Sequence, residues 1–197
     1  AEPNRHEELV SAACSAGKHM FVENPLGLNA EDAYRMAGEL EEAGVIFQTG
    51  YFMRGTPAYR FLRSEIAEGR LGTITRIRMS NCHAGAIRDI FTPDWLWMTD
   101  PSIAGVGAFG DLGTHVLDIM LWLLDARVKR VTASLQTAFA TYGWECDEYG
   151  ECMIEFENGT TGSIAAGWVD VANPVKLIVS GTEGHAYLAQ DALYYAS

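Results

Sequence analysis

Two apolar runs, His19-Met20-Phe21-Val22 and Val45-Ile46-Phe47-Gln48-Thr49-Gly50, decide the fold class. Each is too short for a helix and rich in β-branched or aromatic side chains, as in a strand buried on both faces. Each also follows a helical stretch. Across residues 3–16, Leu9, Ala12 and Ala13 share one side and Gly17 supplies a stop. Asn29 caps a second helix, Asp32 stands in its first turn and Gly44 closes it. Helix, strand, helix, strand at these lengths predicts a parallel, doubly wound sheet.

Past Gly50 the pattern changes. A helix is expected over 57–68, ending at Gly69, and 73–80 alternates like a half-exposed strand. Residues 84–110 are rich in Gly, Pro and Trp and read as a long loop, which Trp95 and Trp97 mark as ordered and functional. A helix over 116–124 follows. Strands are then expected at 130–140, 151–157, 160–169, 175–180 and 185–188, with Asn158-Gly159 as a hairpin turn. A parallel α/β piece thus precedes a largely antiparallel α+β domain.

The 197 residues are 48% hydrophobic and 20% charged, enough for a sizeable core. A formal charge of -12 argues against nucleic acid or an anionic membrane as partner, because both need a basic face. No segment reads as the roughly 20 apolar residues of a membrane span, and Ala1-Glu2-Pro3-Asn4-Arg5-His6 carries no signal pattern, so the expected location is cytoplasmic. Cys14, Cys82, Cys146 and Cys152 form no C-x-x-C, so no metal site is expected and the thiols read as buried. A Cys146–Cys152 disulfide stays open.

Gly105-Val106-Gly107-Ala108-Phe109-Gly110 matches G-x-G-x-x-G. The dinucleotide fingerprint needs a strand before it and an acid about 20 residues after it. Neither is present, so these glycines read as points of close backbone approach. Asp111-Leu112-Gly113-Thr114-His115 follows directly. The i,i+4 spacing puts Asp111 and His115 on one face if the helix has begun by Asp111. A carboxylate there would raise the histidine pKa, orient the ring and help it take a proton from a hydroxyl. The bland alternative is an N-cap and a half-buried histidine. Glu23-Asn24-Pro25 lies at the carboxyl end of the first strand, where open α/β sheets place ligands, and Arg54 lies just past the second.

Gly17-Lys18-His19-Met20-Phe21-Val22-Glu23-Asn24-Pro25-Leu26 resembles the G-K-H-V-x-x-E-K-P segment of the Gfo/Idh/MocA oxidoreductases. Gln48-Thr49-Gly50-Tyr51 with Arg54 and Pro57-Ala58-Tyr59-Arg60 is similar to the family's Q-x-G-[FY]-x-x-R-x-x-P stretch. Gly69-Arg70-Leu71-Gly72, the run from Trp97 to His115, and Gly181-Thr182-Glu183-Gly184 agree in order with later motifs.

The resemblance implies the C-terminal half of a Rossmann-type sheet over 1–52 and an α+β substrate and oligomerisation domain with an open sheet over 53–197. It implies NAD or NADP as cofactor, a sugar or polyol substrate, and a homodimer or homotetramer. Asp111, His115 and Asn24 take the catalytic positions. Glu23, Asn24, Pro25 and His6 fall on the cofactor side, and Arg54, Tyr59, Trp95 and Trp97 on the substrate side. Three departures stand out. The phosphate-binding loop has no counterpart, Asn24 replaces the family's lysine, and Met98 stands where arginine is frequent. Asparagine cannot act as an acid or base at neutral pH. The reading is a dehydrogenase; a glycoside-cleaving or epimerising relative and a non-catalytic assembly subunit are the alternatives.

Overall fold

Gly17 and Gly44 take left-handed backbone, at φ 63° and 62°, and so end two helices where any side chain would be strained. The computed structural model describes residues 1–197. Helix α1 (His6–Ser15) leads to strand β1 (Met20–Val22), and helix α2 (Ala30–Ala43) leads to strand β2 (Phe47–Thr49). Asn29 Oδ1 accepts the backbone N–H of Asp32 at 3.0 Å, the expected cap. The two strands pair in parallel, Met20 opposite Phe47 and Val22 opposite Thr49. Val10, Met36 and Leu40 form the small core between the helices and one strand face. The other face differs from expectation: Phe21 and Ile46 are 60% and 71% exposed, because both helices cover the same side.

The second unit is a seven-stranded sheet. Its strands are β3 (Ile74–Cys82), β4 (Val128–Gln136), β5 (Tyr149–Phe156), β6 (Thr161–Gly167), β7 (Val175–Gly181), β8 (His185–Ala189) and β9 (Ala192–Ala196). They lie in the order β4-β5-β6-β3-β7-β8-β9, and only the β3–β6 pair is parallel. Helix α3 (Pro57–Ala67) packs on the long helix α5 (Ala108–Leu124), which lies across β3, β5 and β6. Leu62, Ile77, Ile119, Met120, Ile154, Leu177 and Val179 meet there as the main core. Gly159, at φ 88°, makes the β5–β6 hairpin turn.

Several expectations need correction. Residues 84–110 hold a 3-10 turn (Leu96–Thr99) and the short helix α4 (Pro101–Ala104), while α5 begins at Ala108 instead of 116. Gly110 and Gly113 weaken the helical signal there; a Cβ on Gly110 would stand 2.3 Å from Val106, whereas one on Gly113 would fit, 3.6 Å from Ala166 of β6. Strand β9 was not foreseen; it follows a turn built on Gln190 at φ 53°. Pro101–Leu124 also has the length and the mean hydropathy of 1.2 of a membrane span, contrary to the sequence reading. Left-handed Gly105 interrupts it, and α5 spends its apolar face on the sheet. All four cysteines are free thiols, and Cys146 and Cys152 are buried.

The glycine-rich stretch has no strand before it. Gly105 caps α4, and a Cβ there would stand 2.6 Å from Leu28 Cα. Gly105 thus lets the second unit approach Leu28, in the segment that follows β1.

Candidate active site

The carboxyl ends of β1 and β2 release Glu23-Asn24 and Gly50 side by side. A Cβ on Gly50 would stand 2.1 Å from Glu23 Oε2, so a larger residue there would displace that carboxylate. Opposite them stands the first part of α5, with Asp111 and His115. Together they line a cavity of about 630 Å³, closed on other sides by Trp95, Trp97, Met98 and the 1–6 segment.

His115 is gripped on two ring edges, by Tyr51 (centroids 5.9 Å apart) and Phe52 (5.4 Å). Its Nε2 lies 3.4 Å from Asn24 Nδ2, which also donates to the Gly50 carbonyl at 3.4 Å. An amide nitrogen only donates, so Nε2 is the acceptor and the neutral ring carries its proton on Nδ1. That Nδ1 is buried without a partner. Burial holds the His115 pKa below the ordinary histidine value, against the upward pull of Asp111, Asp118 and Glu23. The expected rise is therefore reversed, because desolvation outweighs the carboxylates.

Asp111 stands in the first turn of α5 as expected, but no hydrogen bond joins it to His115. Its Oδ2 instead accepts the indole N–H of fully buried Trp168 at 3.0 Å. Burial raises the Asp111 pKa, partly offset by Trp168, His115 and His83. Asp111 therefore acts on His115 through its field and does not orient the ring.

Two expected substrate contacts are not brought to the cavity. Arg54 binds Asp118 with two hydrogen bonds, Nε at 2.8 Å and Nη2 at 2.5 Å, and its guanidinium lies over Trp122. This ion pair ties the 3-10 turn Phe52–Gly55 to α5, one helical turn past His115. Tyr59 is 3% exposed in the main core, on the apolar face of α3. His6 lines the cavity, but its ring nitrogens face the carbonyls of Leu26 and Ala1 at 3.1 and 3.0 Å, which makes it a brace for the Glu23–Pro25 segment. Trp168, His83 and the Tyr51–Phe52 grip were missed. Trp168 lies 57 positions from Asp111 with no local signal, whereas Tyr51 and Phe52 follow a strand end and could have been suspected.

The sequence model of the GFO/IDH/MocA C-terminal domain matches residues 59–187, and that of the oxidoreductase family NAD-binding Rossmann fold matches 1–51. The chain belongs to the Gfo/Idh/MocA family. Levoglucosan dehydrogenase of Pseudarthrobacter phenanthrenivorans is 30% identical over 93% of the chain and 53% of its own length. The scyllo-inositol 2-dehydrogenase (NAD(+)) of Bacillus subtilis is 28% identical over 93% and 52%. Among solved structures, levoglucosan dehydrogenase with NADH and levoglucosan superposes at a TM-score of 0.90, with 29% identity, over all of this chain and 55% of that one. An NAD-binding oxidoreductase from Klebsiella pneumoniae gives 0.85 at 30% identity, over 96% and 52%. The chain spans about half the length of the curated relatives it matches.

The residues present suit one end of a dinucleotide. Glu23, Asn24, Gly50 and His115 line one cavity, and His115 Nε2 faces the Asn24 amide there, polar groups that a carboxamide-bearing ring and a hydroxyl would satisfy. Neither β1 nor β2 runs into a glycine-rich turn that opens a helix, so these strands offer no pyrophosphate cradle.

Proposed function

We propose that this chain forms the nicotinamide-facing and substrate-facing parts of an NAD-dependent oxidoreductase acting on a hydroxyl or ketone of a sugar or polyol. The observation that carries the reading is His115 Nε2, neutral and loosely held at 3.4 Å by Asn24 in a cavity shared by both units. The cofactor side is assigned to 1–52 and the substrate side to 53–197.

A bound nicotinamide would supply the hydride acceptor. A substrate hydroxyl displaces the weak Asn24 contact and donates to His115 Nε2. Asn24, still anchored to the Gly50 carbonyl, offers its amide to the hydroxyl oxygen. The proton passes to Nε2 as the carbon is oxidised. The resulting imidazolium is stabilised by the carboxylates of Asp111, Asp118 and Glu23, which already pull its pKa upward. Trp168 keeps Asp111 in place through its indole N–H. Trp95 and Trp97 present flat apolar faces on which sugar rings pack. Ketone reduction runs the same proton path in reverse.

The relatives named for levoglucosan and scyllo-inositol support this substrate class. The test is a panel of sugars and polyols with NAD, followed at 340 nm, on the gene's full-length product and on its His115→Ala variant. Turnover of at least one compound is expected, falling by about 10²- to 10⁴-fold on loss of the histidine. Turnover untouched by that substitution would remove His115 from the chemistry.

A further inference from the structure

We propose that a second cleft beside the His115 cavity is a carbohydrate subsite, so that the substrate is a glycoside of at least two rings instead of a free monosaccharide. The proposal rests on reading the His115 cavity as the place of sugar oxidation. The cleft, about 690 Å³, is walled by Asp89, Thr92, Leu96, Phe139, Thr141 and Tyr142. It adjoins the first cavity through consecutive residues: Trp95 lines one and Leu96 the other. Their Cα atoms are about 3.8 Å apart, so one stretch of backbone, the entry to the 3-10 turn Leu96–Thr99, borders both spaces. Beneath that turn, Tyr142 packs on Phe91 (5.7 Å), Phe91 on Trp168 (4.7 Å), and Trp168 donates to Asp111 (3.0 Å). One aromatic wall therefore backs both spaces.

The lining has the chemistry of a sugar site. Phe139 is 66% exposed and offers a ring face for the C–H side of a pyranose. Asp89 Oδ1 accepts from Thr92 Oγ1 at 2.8 Å and from the Tyr142 hydroxyl at 3.0 Å, while Oδ2 makes no hydrogen bond. Burial and Asp89 push the Tyr142 pKa up to about 12, so that hydroxyl remains a donor. A purely apolar occupant would cover Asp89 without satisfying it.

The cleft is also held open. Glu148 is 1% exposed, and its carboxylate accepts the backbone N–H groups of Ala138, Phe139 and Thr141 at 2.7–2.9 Å. Asp89 and Ala140 both sit in left-handed backbone, at φ 49° and 51°. For alanine that conformation is unfavourable and persists only where surroundings impose it. A buried carboxylate thus fixes a strained segment to present one exposed aromatic ring.

The test is direct binding without dinucleotide, so that absence of turnover and absence of the subsite are separate results. Ligand-observed NMR titrations would compare cellobiose with methyl β-D-glucopyranoside, maltose with methyl α-D-glucopyranoside, and lactose with methyl β-D-galactopyranoside. At least one disaccharide should bind roughly tenfold more tightly than its methyl glycoside, the scale of one good aromatic contact. Phe139→Ala should abolish that advantage and leave the methyl glycoside unchanged. Asp89→Asn, which keeps a residue tolerant of left-handed backbone, should reduce it. Equal affinities within every pair would overturn the proposal. So would an advantage that survives Phe139→Ala, or a 4-nitrophenyl glucoside that gains as much as the disaccharide while Asp89→Asn changes nothing.

Discussion

The protonation of His115 is set by burial more than by its nearest carboxylate. Its pKa lies below the ordinary histidine value of about 6.5, so the ring is neutral across the physiological range. Oxidation of a hydroxyl requires that neutral form. Activity should therefore stay level as pH falls toward the ordinary value and drop only below it. A profile of kcat/KM against pH would show an acid limb at a lower pH than free histidine gives. Asp111→Asn should lower that limb further, because it removes an upward pull on the ring. An acid limb above the ordinary value would contradict the dominance of burial. At this scale the sequence was partly legible. The spacing of Asp111 and His115 placed both at the cavity, but Asp111's actual partner, Trp168, comes from another element. Tyr59 misled because an aromatic residue on an amphipathic helix reads equally as core or as platform.

The short turn after β2 shows how an element can act on a side chain it does not contain. Phe52–Gly55 carries one of the rings that grip His115, and Arg54 pins the turn to Asp118 on α5. Asp118 is 8% exposed, so removing its partner leaves a buried carboxylate uncompensated. Arg54→Ala should cost about 1–2 kcal/mol, at the low side because the arginine is itself half exposed. Denaturant melts would measure this. Turnover should fall with little change in KM, and Arg54→Lys should recover stability better than it recovers turnover, since lysine cannot make the paired contact. A rise in KM alone would return Arg54 to the role of substrate contact. Elements themselves were readable where local chemistry defines them, as at Asn29, Gly44 and Gly159. They were obscured where glycines stand inside a helix: Gly110 and Gly113 hid the first turns of α5. The uncovered face of β1 and β2 could not be read either, because short apolar runs look alike whether one face or two is buried.

For the whole molecule, the seven-stranded sheet has one face under α5 and α3 and the other open. The open face carries Met153, Ala165, Ile178, Tyr187 and Tyr194 among polar residues, with a shallow groove along β5, β6 and β3. On either side of β6 stand opposite charges, Arg76 and Arg78 on β3 and Glu151 on β5. None of the three joins the ion pairs within the chain, whereas neighbouring Arg130 and Glu155 pair with each other at 2.8 Å. A two-fold axis near β6 would lay the arginines of one copy over Glu151 of the other, a self-complementary arrangement. We propose that two copies associate through this face. Sedimentation velocity should show a concentration-dependent dimer. Ala165→Arg at the centre of the face should give a monomer with unchanged circular dichroism. Glu151→Arg should weaken the dimer in low salt by replacing attraction with repulsion, an effect that fades as salt rises. A monomer at all concentrations, or a dimer indifferent to both substitutions, would rule out this face as the contact.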